Sequence, residues 1–227
     1  MSNTYKAVLF DLDGTINDSS PGITNSVRFA LDRLGCPPMT EPELRRFVGP
    51  SLYFSFTNYA GLDDERAERA IELYRECYGG GELYNLKIYE GMPELLAALP
   101  QYGLRAALVT SKPALMADRI LDHFDTRKYF SVVTAPSPSD HSSDKSVLIR
   151  QALERLELAP DEAIMVGDTR FDILGAAKAG CDSVGVTYGC GSRSELVESG
   201  ATFLADSPDD LRPILGLPPR NAQGEAK

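Results

Sequence analysis

Six short apolar runs recur along the chain, each closed by a turn signal. They are "KAVLFD", "LRAALVT", "YFSVVTA", "AIMVGD", "CDSVGVTYG" and the weaker "ATFLAD". Each is continuous in its hydrophobicity and of strand length, which predicts strands buried on both faces. Between them the period changes. In "MPELLAALPQYG" Leu95, Leu96 and Leu99 share one face, and "ALMADRILDHF", "DKSVLIRQALERLEL" and "FDILGAAKAG" repeat the three-and-four spacing of amphipathic helices. Gly103, Gly180 and Gly200 close helical segments, as glycines just beyond a helix C-terminus do.

Alternating strands and helices of this kind predict a parallel sheet covered on both faces. The alternation breaks once, between the first run and "LRAALVT". No strand is expected there. In "PGITNSVRFALDRLG" Ile23, Val27, Ala30, Leu31 and Leu34 form one stripe, and in "DDERAERAIELYRECYGG" Ala67, Ala70, Ile71, Tyr74 and Tyr78 form another. Residues 17–85 are too long for a connection in a compact domain. The expected fold class is therefore α/β: a doubly wound, Rossmann-like parallel-sheet core, residues 1–16 and 86–216, with an inserted all-helical domain at 17–85. Two chain crossings would act as its hinges. The tail 217–227, "LPPRNAQGEAK", has paired prolines and no apolar face, which predicts disorder.

The composition, 43% hydrophobic and 25% charged, suits a globular chain, and 227 residues are enough to bury a sizeable core. A net charge of −10 argues against a general nucleic-acid or anionic-membrane binder. It leaves room for an anionic substrate, because a local cation reverses the field inside a cleft. The four cysteines form no C-x-x-C pair, and only His123 and His141 stand as imidazoles, so a zinc site is not expected. Reduced, mostly buried thiols are. "MSNTYKAVLFD" enters a strand with no signal-peptide pattern, and no apolar run approaches the roughly 18 residues of a membrane helix. A cytoplasmic location follows as the expectation. The pattern specifies no oligomeric state.

Ligands of open parallel sheets bind beyond the carboxyl ends of the strands, and here those ends carry the chemistry. The first strand runs into Asp11-Leu12-Asp13-Gly14-Thr15, the second ends at Thr110-Ser111-Lys112, and "AIMVG" ends at Asp168, with Asp172 one helical turn later. Asp11 and Asp13 lie on one face of an extended chain and repel each other. Asp11, Asp13 and Asp168 supply the hard oxygen ligands that Mg²⁺ prefers, and the cation would relieve that repulsion. Gly14 allows a sharp turn whose N–H groups can hold phosphate oxygens, with Thr15 in the same turn. Thr110 and Ser111 add a hydroxyl and N–H donors at a helix start. Taken singly, Asp-Gly is a common turn, Asp168 a plausible helix cap and Lys145 a solvated helix lysine. Their order at successive strand ends raises the functional reading.

"FDLDGT", "VTSKP", Lys145 in "SSDKSVL" and "MVGDTRFD" resemble the four motifs of the haloacid dehalogenase superfamily. The helical insert resembles its first-class cap, and the chain up to the tail resembles the phosphoglycolate phosphatase-like branch. The resemblance implies that Asp11 is a nucleophile forming an aspartyl-phosphate and that Asp13 is the general acid and then the general base. It implies that Gly14, Thr15, Thr110, Ser111 and Lys145 bind phosphate. Mg²⁺ would be held by Asp11, the Asp13 carbonyl and Asp168, with Asp172 direct or through water. Many relatives place the third-motif lysine before a proline. Here Lys145 precedes Ser146, and Lys112 in "SKP" is a rival; Lys145 is preferred because it opens the helix after the third strand. Arg45, Arg46 and Gly49 in "RRFVGPSL" resemble the cap loop that closes over the leaving group. The expected activity is a Mg²⁺-dependent phosphatase of a small anionic metabolite such as phosphoglycolate. A sugar-phosphate mutase, a pyrophosphatase or a nucleotidase are alternatives. A phospho-aspartate receiver or a non-catalytic binding protein fits less well.

Overall fold

The computed structural model describes residues 5–136 and 144–220. The strand β1 (Ala7–Phe10) lies at the centre, with all four side chains fully buried. Val8 and Phe10 pack into one hydrophobic cluster and Ala7 and Leu9 into another on the opposite face. That two-sided burial is why the strand reads as an unbroken apolar run.

After β1 the chain forms β2 (Asn17–Asp18), then four helices: α1 (Ser20–Arg33), α2 (Glu41–Arg45), α3 (Leu52–Asn58) and α4 (Asp64–Gly79). It returns through β3 (Lys87–Ile88), α5 (Met92–Ala98), β4 (Arg105–Val109), α6 (Ala114–His123) and β5 (Phe130–Thr134). There follow α7 (Ser146–Leu156), β6 (Ala163–Gly167), α8 (Arg170–Ala179), β7 (Asp182–Val186), α9 (Arg193–Glu198), β8 (Phe203–Ala205) and α10 (Leu211–Ile214). The six core strands pair in parallel in the order β5-β4-β1-β6-β7-β8. Helices α7 and α8 bury Leu148, Ile149, Ala152 and Ala176 against the Ala7/Leu9 face. Helices α5 and α6 bury Leu95, Leu96, Ile120 and Leu121 with the Val8/Phe10 cluster. Because β1 lies between β4 and β6, the carboxyl ends of these three strands meet at one edge, where the order of connection reverses.

The insert is helical, as its two apolar stripes predict. Small residues, Ala30 on α1 and Ala67 and Ala70 on α4, are fully buried where the helices join the core cluster. The starts of α3 and α4 are set by capping: Ser51 Oγ accepts the Phe54 N–H at 3.3 Å and Asp63 Oδ1 the Arg66 N–H at 2.9 Å.

Three features differ from expectation. Strands β2 and β3 form an antiparallel pair where the chain leaves and re-enters the core, a region read as helical throughout. Two-residue strands are shorter than any periodicity window, and side-by-side passage of the two crossings creates them. The expected disordered tail is anchored at its start. Leu217 is 5% exposed, its N–H donates to the Arg212 carbonyl, and Arg220 meets Asp209 at 3.2 Å. A single leucine beyond α10 carries no periodic signal; the rest of that tail, 221–227, lies outside the described residues. Of the four thiols, all free, only Cys181 is buried, while Cys36, Cys77 and Cys190 are half-buried. No helix among the described residues is long and apolar enough to cross a membrane.

Candidate active site

The Asp11 N–H donates to the Val166 carbonyl at 2.9 Å, which extends the sheet by one residue and holds this carboxylate at the strand end. Lys145, immediately before α7 and 2% exposed, donates to Asp11 Oδ1 at 2.7 Å and to Asp172 Oδ1. Asp172 is itself held, its Oδ2 accepting from the Thr169 N–H at 3.0 Å and the Thr169 hydroxyl at 2.8 Å. Lys112, 8% exposed, lies 3.0 Å from Asp13 Oδ2 and donates to the Tyr78 hydroxyl of α4 at 2.8 Å.

The two lysines that the sequence offered thus both stand among these acids, Lys145 on Asp11 and Asp172 and Lys112 on Asp13. Asp11 and Asp13 each keep one oxygen back: Asp11 Oδ2 and Asp13 Oδ1 are buried without a hydrogen-bond partner. Buried polar atoms are left this way at a cost, and their natural complement is a ligand or an ion.

The electrostatics point the same way. Burial raises the pKa of Asp11 to about 7, against the opposing pull of Lys145, with Asp172 and Asp13 adding to the rise. Burial, then Asp172 and Asp11, pushes Asp168 well above the ordinary carboxylate range. Burial also works against the two ammonium groups. The carboxylates beside them outweigh it and raise both lysines.

Asp11, Asp168 and Asp172 each offer an oxygen within 4.8 Å of the others. Three buried carboxylates with one ammonium among them, and the unpartnered Oδ2 of Asp11, fit a small divalent cation with oxygen ligands. Both oxygens of Asp172 also carry hydrogen bonds, Oδ1 from Lys145 and Oδ2 from Thr169.

The Asp13-Gly14-Thr15 turn is shaped around Asp168. Gly14 has φ +87°, and a Cβ there would lie 2.1 Å from Asp168 Oδ2. Thr15 is fully buried and its hydroxyl faces Asp168 Oδ1 at 3.4 Å. Gly14→Ala is expected to weaken divalent-cation binding at least tenfold and to lower the Tm, because backbone strain and the displaced carboxylate act together. Calorimetric titration with Mg²⁺ beside thermal melts would check it. Unchanged cation affinity would remove Asp168 from the cation site.

A loop that the sequence reading passed over also serves this carboxylate. The Cys190 N–H donates to Asp168 Oδ2 at 2.7 Å, the Tyr188 hydroxyl donates to the Thr15 carbonyl at 3.0 Å, and a Cβ on Gly189 would meet Asp168 Cβ at 2.3 Å. The available signal was the "YGCG" run just beyond a strand end.

Thr110 is buried, and its Oγ1 accepts the Lys112 N–H at 3.1 Å, a bond that leaves the hydroxyl proton unused. Beside it a cavity of about 310 Å³ separates insert and core. Asp13, Ser111 and Lys112 line it from the core, and Phe47, Tyr53, Tyr74 and Tyr78 from the insert, with Arg75 and Glu68 also at its edge. Gly49 lines it too. Arg45 and Arg46 do not. They line a separate pocket of about 180 Å³ with Thr169 and Arg170, and the Arg46 guanidinium sits 4.0 Å over the Tyr59 ring. Leu44 and Phe47 take the buried positions around the end of α2, which turns the two arginines outward. Arg75 is the insert arginine at the Asp13 cavity, hidden in sequence because its helix reads as packing.

The sequence model of the haloacid dehalogenase-like hydrolase family matches residues 8–186. The chain is 39% identical over 214 residues to a 5'-nucleotidase of Pseudomonas aeruginosa, covering 93% of this chain and 96% of that protein. It is 31% identical to a phosphoglycolate phosphatase of Vibrio parahaemolyticus, covering 93% and 96%. The crystal structure of a predicted phosphatase from Clostridium acetobutylicum superimposes with a TM-score of 0.89 at 41% identity, covering 94% of this chain and 99% of that one.

Proposed function

The chain belongs to the haloacid dehalogenase-like hydrolases, and from that premise we propose that it is a Mg²⁺-dependent phosphatase of a small phosphorylated metabolite, acting through an aspartyl-phosphate on Asp11. The observation that carries the reading is the pair of buried acids, Asp11 and Asp13, each held by a lysine on one oxygen and unpartnered on the other. In this reading Asp11 forms the bond to phosphorus and Asp13 moves the proton.

Asp11 attacks phosphorus as the bond from phosphorus to the leaving oxygen breaks, and Asp13 gives that oxygen its proton. Asp13 then takes a proton from the water that attacks the aspartyl-phosphate, releasing phosphate and restoring Asp11. Lys145 neutralises charge on the transferring group, while the Thr110 hydroxyl and the Ser111 N–H hold its oxygens; the Gly14 N–H is spent on the Asn17 carbonyl at 2.7 Å. Asp11, Asp168 and the Asp13 carbonyl would hold Mg²⁺, which when bound supplies the positive charge that lets carboxylates stand beside a phosphate dianion. Asp172 would reach the cation through water.

The cavity favours a nucleoside 5'-monophosphate over phosphoglycolate. A space of about 310 Å³ walled by Phe47, Tyr74 and Tyr78 suits a flat, partly apolar leaving group. The two-carbon glycolate would leave most of it empty. The similarity to a 5'-nucleotidase supports the same choice.

A panel of nucleoside 5'-monophosphates, ribose 5-phosphate, phosphoglycolate, pyrophosphate and an aryl phosphate tests both levels. Hydrolysis with Mg²⁺ that chelation abolishes is expected, with the highest kcat/KM on a nucleotide. Full activity in excess chelator would overturn the metal assignment. A preference for phosphoglycolate would overturn the nucleotide reading and leave the phosphatase standing.

A further inference from the structure

We propose that Lys112 is a positioning residue for leaving-group protonation, holding Asp13 by Oδ2 so that Oδ1 is presented to the departing oxygen, with Tyr78 of the insert completing its grip. The proposal rests on the phosphatase reading and concerns a lysine to which that reading gives no task.

The backbone at Lys112 is fixed from both sides. Its N–H is bound by Thr110 Oγ1 at 3.1 Å, and Pro113, with φ −54°, caps α6 directly after it. The side chain is buried, and burying an ammonium is costly unless its partners repay the lost hydration. Lys112 has two such partners, Asp13 Oδ2 at 3.0 Å and the Tyr78 hydroxyl at 2.8 Å. Neither is shared with Lys145, whose contacts are Asp11 and Asp172. The two cations thus divide the site between the bond-forming acid and the proton-transferring one.

An ammonium has only donors. While it occupies Oδ2, proton exchange with a substrate runs through Oδ1, the buried atom with no partner, on a residue that lines the cavity where the leaving group goes. In the first step the proton passes from Oδ1 to the leaving oxygen as its bond to phosphorus breaks and the bond from phosphorus to Asp11 forms. In the second, Oδ1 receives a proton from water as the phosphoryl group leaves Asp11.

Tyr78 connects this arrangement to the insert. It sits near the end of α4, is buried, and stacks on Tyr74 with ring centroids 5.1 Å apart. Its hydroxyl on Lys112 ties the insert to the residue that holds the acid.

The test is dependence on the leaving group. An alkyl phosphate such as ribose 5-phosphate needs a proton on its departing alkoxide, whereas 2,4-dinitrophenyl phosphate releases a stable anion. The parameter kcat/KM reports the steps up to aspartyl-phosphate formation, so the second half-reaction does not enter. Lys112→Met is expected to lower kcat/KM on the alkyl phosphate about 100-fold, the lower end of what general acid catalysis supplies. The loss on the dinitrophenyl ester should be at least tenfold smaller. Tyr78→Phe should move the ratio the same way by less, and Lys112→Arg should recover part of it. Thermal melts identify any variant that fails to fold; if Lys112→Met does, the ratios for Tyr78→Phe and Lys112→Arg decide. Equal fractional losses on both esters, or an unchanged alkyl rate, would overturn the proposal. A wild-type protein that hydrolyses neither ester would overturn the phosphatase reading, and this inference with it.

Discussion

Asp11→Asn is expected to abolish turnover, with kcat at least about 10⁴-fold below wild type, the scale seen when a nucleophilic unit is broken. An amide matches the carboxylate in shape, and Asp11 is held by the sheet through its N–H, so the fold should survive. What is lost is the nucleophile itself, together with the charge that pairs with Lys145. Wild-type protein quenched in acid during turnover of a ³²P-labelled substrate should carry phosphate that is stable to acid and released by hydroxylamine, as an acyl phosphate is. The variant should carry none. Near wild-type turnover by Asp11→Asn, or labelled phosphate that hydroxylamine leaves in place, would move the nucleophile elsewhere.

Lys145→Ala is the second large effect. Removing a charged donor aimed at a transferring group costs about 2–4 kcal/mol of transition-state stabilisation, a kcat loss of about 10²–10³-fold. A stability loss should accompany it. Lys145 sits between two buried carboxylates, and taking one partner from a buried ion pair costs about 3–5 kcal/mol. The activity loss should be the same on alkyl and dinitrophenyl esters, since Lys145 meets the nucleophile side and not the leaving group. That uniformity separates it from Lys112. A loss confined to alkyl esters would exchange the roles of the two lysines.

The sheet was legible because β1, β4 and β6 are buried on both faces, which forces a local composition that cannot be mistaken for a loop. The carboxylates were legible for a related reason. Asp11, Asp13 and Asp168 end strands, and strand ends of a parallel sheet converge whatever the details of packing. Less of the insert could be read. Its helices were visible in their stripes, but which pocket Arg45 and Arg46 line was not. Which way a side chain leaves a short helix depends on which neighbours take the core, here Leu44 and Phe47.

Chain order and hydrophobic period, then, determined the α/β core, the helical insert and the edge at which the acids gather, because these depend on interactions within a few residues and on the handed geometry of parallel strands. The tertiary structure decided the pairing. It set Lys145 on Asp11, Lys112 on Asp13, Thr15 and the Cys190 N–H on Asp168, and Arg75 on the cavity in place of Arg45 and Arg46. Contacts between Lys112, Asp13 and Tyr78 join three separate stretches of chain. A buried charge is stabilised by whichever opposite charge the packing brings within about 3 Å, and that distance is a property of the fold and not of sequence spacing.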